Sequence, residues 1–234
     1  MSGEGLSVLA LDSARFPLEQ EGGLCPPMDL VLRRGDFVLI EVGTAERGTA
    51  IADACAGLSP LRGGTATFQG RAWSAMAPAY ADAMRGRIGR TYVAEVWLEH
   101  LSVRDNVLLG QLHHTRSDAA ALTEQAARLA RRFGLPGLPL GYPRDLPWED
   151  ERRAALVRAL IGEPALLLLE SPTRGSFAEL GEALINAVGQ ARDRGAAVLW
   201  LTTNANLWAD ASLPATRRYR LVGGVLVAAR RMAA

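Results

Sequence analysis

Uninterrupted apolar runs alternate along this chain with stretches of helical period. Residues 37–42 read FVLIEV, 165–170 read ALLLLE and 196–201 read AAVLWL. Apolar runs of this length predict strands buried on both faces, the mark of a parallel sheet. Shorter strands are predicted at 6–11, 28–32, 65–69 and 87–93, with turns at Gly35-Asp36 and Gly63-Gly64. Helical spacing predicts helices at 49–58, 77–84, 102–132, 149–161 and 177–194, the last stopped by Gly195. Acids at Glu149 and Asp150 suit the first turn of their helix. The chain ends in a predicted hairpin over 219–228, turning at Gly223-Gly224. Strands alternating with helices predict an α/β fold with a mostly parallel sheet. The purely helical middle, about 95–163, reads as a subdomain inserted into a single domain spanning 1–234.

The chain has 234 residues, 49% of them hydrophobic, enough for a full core. Its 26 basic and 25 acidic residues give a net charge of +1, which points neither to nucleic acid nor to a broadly membrane-attracted surface. All 26 basic residues are arginine. With no lysine in the chain, Schiff-base chemistry and a phosphate-loop lysine are excluded. Cys25 and Cys55 have neither metal spacing nor a disulfide framework, as expected in a reducing compartment. The first thirty residues lack the pattern of a signal peptide, and no apolar run is long enough to span a bilayer. His113-His114 are read as a solvated pair, because adjacent helical residues face different directions. Trp200 is expected in the core, and Trp97 and Trp148 at an interface.

Gly43 and Gly48 stand five residues apart between a predicted buried strand and a helix, the context of a phosphate loop. The lysine and hydroxyl positions that should follow are Thr49 and Ala50. The motifs around this loop extend the pattern. Phe16 precedes it, and Gly57-Leu58-Ser59-Pro60, Gly63-Gly64 and Gly70-Arg71 follow. Then come Ile88-Gly89, Leu101 to Val107, Arg153 to Leu160, and Glu163-Pro164 leading into Glu170-Ser171-Pro172-Thr173. In order and spacing, from about residue 6 to 229, this resembles the nucleotide-binding subunit of ABC transporters. The resemblance implies a P-loop NTPase-like cassette, with an N-terminal antiparallel β part beside the parallel core and a helical subdomain. It places Phe16 at the adenine-stacking position and Gly43, Gly48, Thr49 and Ala50 in the phosphate loop. Val93 falls at the Q-loop glutamine, Leu146-Pro147-Trp148-Glu149-Asp150 at the signature, and Glu170 and Ser171 at the Walker B aspartate and catalytic glutamate. Thr203 falls at the switch histidine. The D-loop aspartate is not evident near residues 175–177.

Nearly every reactive position therefore departs from the family pattern. Loss of the lysine alone removes roughly 4 kcal/mol of attraction at about 4 Å and an effective dielectric near 20. Ala50 cannot ligate magnesium, and Ser171 cannot act as a carboxylate base. Glu149 and Asp150 place negative charge where the signature helix should receive a γ-phosphate. The expected function is a catalytically degenerate cassette, a pseudo-ATPase with a structural or regulatory role, with no cofactor, ATP at most weakly bound and magnesium unlikely. Its expected partners are an integral membrane permease and a second ABC subunit, itself or an active paralogue, and no nucleic acid. The expected location is cytoplasmic, peripheral on the inner face of the membrane. Val93, Trp97 and Leu98 are expected to line the groove that receives a permease helix. Two alternatives stay open: an active subunit energising transport, lipid transport among the settings, and a free-standing scaffold.

Overall fold

A computed structural model describes residues 7–17, 26–174 and 178–229. The predictions for Leu6, Cys25, residues 175–177 and the start of the helix at Phe177 lie outside the described residues. The chain opens with strands β1 (Leu9–Arg15), β2 (Met28–Leu32) and β3 (Phe37–Glu41), followed by helix α1 (Ala45–Cys55). Strands β4 (Gly63–Phe68) and β5 (Arg71–Ala72), helix α2 (Pro78–Arg85) and strand β6 (Ile88–Thr91) come next. The middle holds α3 (Val103–His114), α4 (Ala119–Arg132) and α5 (Trp148–Leu160). Then β7 (Leu166–Glu170), α6 (Ala178–Asp193), β8 (Ala197–Thr202) and the short α7 (Ala205–Ala209) lead to the hairpin β9 (Arg217–Val222) and β10 (Val225–Ala228).

These strands form two sheets. An antiparallel sheet has the order β2-β1-β4-β5, and a six-stranded sheet has the order β10-β9-β3-β8-β7-β6. In the second, β6, β7, β8, β3 and β9 run parallel, and only β10 is antiparallel. The apolar runs are explained by this arrangement, because alternate side chains of each strand enter different cores. Phe37, Leu39, Leu167, Leu169, Val198 and Trp200 pack with α3 to α6, while Val38, Ile40, Leu166, Leu168, Leu199 and Leu201 pack with α1 and the antiparallel sheet. Trp200 is fully buried and stacks on Phe37 at 5.8 Å.

The predicted helix over 102–132 is two helices. Ser102 caps α3 by accepting from the Asp105 amide, and Asp118 caps α4 by accepting from the Ala121 amide. Thr115 closes α3, its hydroxyl donating to the Gln111 carbonyl, so the break is built from side-chain caps that a periodicity count does not register. His113 and His114 end α3 with their rings in edge contact, 4.7 Å apart. Among the described residues no helix is long and apolar enough to cross a membrane.

Candidate functional site

The predicted glycine loop over 43–48 is not a loop. Helix α1 begins at Ala45, so only Val42, Gly43 and Thr44 connect it to β3. Gly43 turns the chain at φ +74°, a conformation that favours glycine. Thr44 is the N-cap, and its hydroxyl accepts from the Arg47 amide. The Gly48 amide donates to the Thr44 carbonyl as an ordinary helical bond. A backbone amide and the Thr44 hydroxyl hold the exposed Glu46 carboxyl below the ordinary range. The physical reason is local. Ala45, Glu46 and Arg47 are good helix formers behind a threonine cap, so the segment extends the helix. The predicted start at Thr49 is corrected accordingly. Thr49 and Ala50 lie within the second turn, both partly buried.

The Thr49 hydroxyl donates to Glu170 Oε2 at 2.6 Å. Glu170 ends β7 and is 1% exposed. Its other oxygen, Oε1, accepts from Arg90 Nε at 2.8 Å, and Arg90 Nη2 lies 2.8 Å from the same oxygen as an ion pair. Arg90 Nη1 donates to Asp53 Oδ1 of α1 at 2.6 Å, and its Cζ sits 4.4 Å from the Tyr92 ring centroid. Burial opposes the charge on Arg90, but Glu170, Tyr92 and Asp53 outweigh it and hold its pKa above the ordinary arginine value. Both oxygens of the Walker B-equivalent carboxylate thus have partners from this chain. Sequence reasoning missed Arg90 and Asp53. The available signal was an arginine inside the predicted strand over 87–93, since a charge on a strand that proves buried is almost always paired.

The other predicted site residues are dispersed. Ser171 follows β7 at φ +43°, its amide bonded to the Leu201 carbonyl and its carbonyl accepting from Arg152 Nη2. Thr203 is exposed beyond β8, where Asn204 caps α7. Pro147 is the N-cap of α5 and makes no side-chain cap bond; Glu149, Asp150 and Glu151 fill the first turn. Leu146 packs against the core, Trp148 is 48% exposed, and Asp150 pairs with Arg153 at 2.7 Å.

Three expected placements, of Phe16, Trp97 and Val93, need correction. Phe16 is 4% exposed, with its ring in the core beneath the antiparallel sheet, so it presents no open face for stacking. Trp97 is likewise a core residue at 9% exposure: its Nε1 donates to Glu151 at 2.7 Å and Arg158 covers its ring at 4.2 Å. An indole with both its polar edge and its face satisfied inside has no reason to point outward. Val93 is half-buried and does not line the adjacent cleft. That cleft, about 550 Å³, lies between β6 and helices α3 and α5, and Val96, Leu98 and Leu109 bring exposed apolar surface to it. Leu98 is the one predicted groove residue found there.

No family model matches the chain. It is 23% identical to the glutamate/aspartate import ATP-binding protein GltL of Escherichia coli over 171 residues, 73% of this chain and 70% of that protein. It is 29% identical to the lipoprotein-releasing system ATP-binding protein LolD of Hydrogenovibrio crunogenus over 178 residues, 72% of this chain and 75% of that protein. With the sulfate/thiosulfate import ATP-binding protein CysA 2 of Chromobacterium violaceum it shares 30% identity over 155 residues, 66% of this chain but 40% of that protein. Among solved structures, an ATP-binding subunit of an ABC transporter superposes with a TM-score of 0.81 at 19% identity, covering 95% of this chain and 90% of the other. A dimeric bacterial ABC transporter cassette, MJ0796, superposes at 0.82 with 17% identity, covering 93% and 96%.

Proposed function

We propose that this chain, an ABC cassette by fold and related in sequence to the ATP-binding subunits of ABC transporters, is a non-hydrolysing subunit of a membrane transport complex. The observation that carries this reading is the closed set of contacts around Glu170. A magnesium ion needs oxygen ligands with room for water. Here Glu170 Oε1 is taken by Arg90, Glu170 Oε2 by the Thr49 hydroxyl, and position 50 is an alanine. The residues present do not fit Mg-ATP. The start of α1 supports the same reading, because the Arg47 and Gly48 amides are bonded to the Thr44 hydroxyl and carbonyl and a further backbone amide is bonded to the Glu46 carboxylate. Ser171 supplies no carboxylate to polarise a water.

The role that fits is structural or regulatory, on the cytoplasmic face of the membrane, with a permease and a second ABC subunit as partners. The cleft bearing Val96, Leu98 and Leu109 suits a short amphipathic helix laid into a groove. The relatives named ATP-binding proteins favour a second reading, an active subunit energising transport. Phosphate release and thermal unfolding of the purified chain, with and without 1 mM Mg-ATP, separate the two. A micromolar ligand at about a thousand times its Kd adds roughly 4 kcal/mol to stability. We expect no phosphate release above background and no shift of the midpoint. Turnover near about 1 per second, or a Mg-dependent shift of several degrees, overturns the proposal.

A further inference from the structure

Residues 92–98 join β6 to the turn before α3 and are neither helix nor strand. A connecting segment of this kind usually runs over the surface and moves. This one has its backbone held by side chains from the helices beside it. Arg152 of α5 donates through Nη1 to the Tyr92 carbonyl at 2.9 Å, and Arg158 donates through Nη1 to the Val96 carbonyl at 2.7 Å. The Asn106 amide of α3 takes both polar groups of Leu98, at 2.8 and 3.0 Å. At the centre is Glu95, its side chain 1% exposed, paired with Arg152 at 3.1 Å and Arg158 at 2.7 Å. Arg152 reaches on through Nη2 to the Ser171 carbonyl at the end of β7, and Arg158 covers Trp97, whose nitrogen is bonded to Glu151. The irregular segment that follows β6, the helices α3 and α5 and the residue that ends β7 therefore meet in one cluster centred on a buried ionic set.

We infer that this cluster is a rigid joint: it fixes the three-helix layer α3 to α5 against the parallel sheet in one arrangement, and so holds the cleft between them at a set width. The inference goes beyond the proposed function and does not depend on it, because it concerns the joint and not the nucleotide-equivalent site. Stability alone does not explain such a cluster. Well-packed apolar side chains in place of a buried ion set are often equally or more stabilising. Burial pushes the Glu95 carboxyl above its ordinary range despite both arginines, and burial lowers Arg158 despite Glu95, so the charges are held inside at a net penalty. What the ionic set supplies is directionality. Each guanidinium satisfies particular carbonyls on other elements, and a shift of α5 by one turn strands all of them. Arg158 also lines the cleft together with Val96, Leu98 and Asn106, so the joint and the cleft wall share residues.

The test is amide hydrogen exchange of the full chain, wild type against Glu95→Gln. The variant keeps the volume of Glu95 and removes its charge, leaving Arg152 and Arg158 without a counter-ion. Exchange is expected to rise ten-fold or more in residues 92–101 and in the first half of α5, with β3, β7 and β8 changing less than two-fold. Exchange in 92–101 within two-fold of wild type overturns the inference. So does a rise spread evenly over both cores, which marks the cluster as a global stabiliser only. Should Glu95→Gln fail to fold, Arg158→Met leaves the Glu95–Arg152 pair in place and is judged by the same two criteria.

Discussion

Glu170→Gln tests the closed site directly. Gln keeps the shape of the side chain and an oxygen for the Thr49 hydroxyl, but it withdraws the charge facing Arg90. Two nitrogens of Arg90 lie 2.8 Å from Glu170 Oε1. At that distance and an effective dielectric near 20, the attraction is roughly 6 kcal/mol. Desolvation takes back part of it, and breaking one side of a buried pair costs about 3–5 kcal/mol because the other charge stays inside. In a chain of 234 residues, each kcal/mol moves the midpoint by about 2–4 °C. Glu170→Gln should therefore lower the thermal midpoint by roughly 10 °C. Asp53→Asn removes the other carboxylate facing Arg90, but the Asp53 side chain is 33% exposed. Its loss should cost about 1 kcal/mol, or roughly 3 °C. Replacing the buried pair together, Arg90→Met with Glu170→Leu, should recover most of the loss. Differential scanning fluorimetry, backed by urea melts, reads all of these. A Glu170→Gln midpoint within 2 °C of wild type, or a larger loss from Asp53→Asn, would refute the reasoning.

Three further outcomes follow from burial and charge. Trp97→Ala should destabilise the chain by about 3–5 kcal/mol in urea melts, whereas Leu98→Glu, at a position 42% exposed, should leave the melt unchanged and, on the proposed reading, abolish co-purification of a permease; the opposite pattern would put Trp97 back at the interface. Burial pushes the Cys55 thiol up to about 12, so in a Cys25→Ser background Cys55 should resist thiol reagents at pH 8 and react fully in urea. His114 is held below its ordinary value of 6.5, first by burial and then by His113. Its contribution to stability is therefore present above the unfolded value and declines as pH falls through 6.5 toward the folded one. Melts at pH 7.5 and 5.5 should show a loss that His114→Gln reduces.

The sheet was legible because its strands are buried on both faces. A run such as 196–201 has no amphipathic alternation to confuse, and β8 spans Ala197–Thr202. The boundaries that went astray were set by single side chains. Thr44 starts α1 several residues before the predicted Thr49, and the Thr115 and Asp118 hydrogen bonds split one predicted helix into two. The pattern of motifs was legible as a resemblance, since it rests on order and spacing. The site that occupies those positions was not. Arg90 and Asp53 lie 37 residues apart, and Arg90 and Glu170 lie 80 apart, so their contact exists only once β6 and β7 pair and α1 packs across them. Trp97 was misplaced for a related reason. An aromatic in an irregular stretch reads as surface until Glu151 and Arg158, both from α5, are seen to enclose it.

On the proposed reading, the absence of lysine and the presence of Arg90 are two sides of one change. A phosphate loop with its lysine is a cationic site that stays unbalanced until an anion arrives. Here, among the described residues, the cation paired with the Walker B-equivalent carboxylate is Arg90 of β6, already balanced by Glu170 and Asp53. With Glu46 and Arg47 of the first turn of α1 included, these five groups carry one net negative charge. A triphosphate adds more negative charge, and the cation beside the Walker B-equivalent carboxylate is already paired, so it can recruit that cation only by breaking the Arg90–Glu170 pair, whose partners are 8% and 1% exposed. The cassette then rests in an arrangement set by its own side chains, where a binding-dependent cassette rests in one set by ligand. A permease docked on it would meet the same surface at every nucleotide concentration.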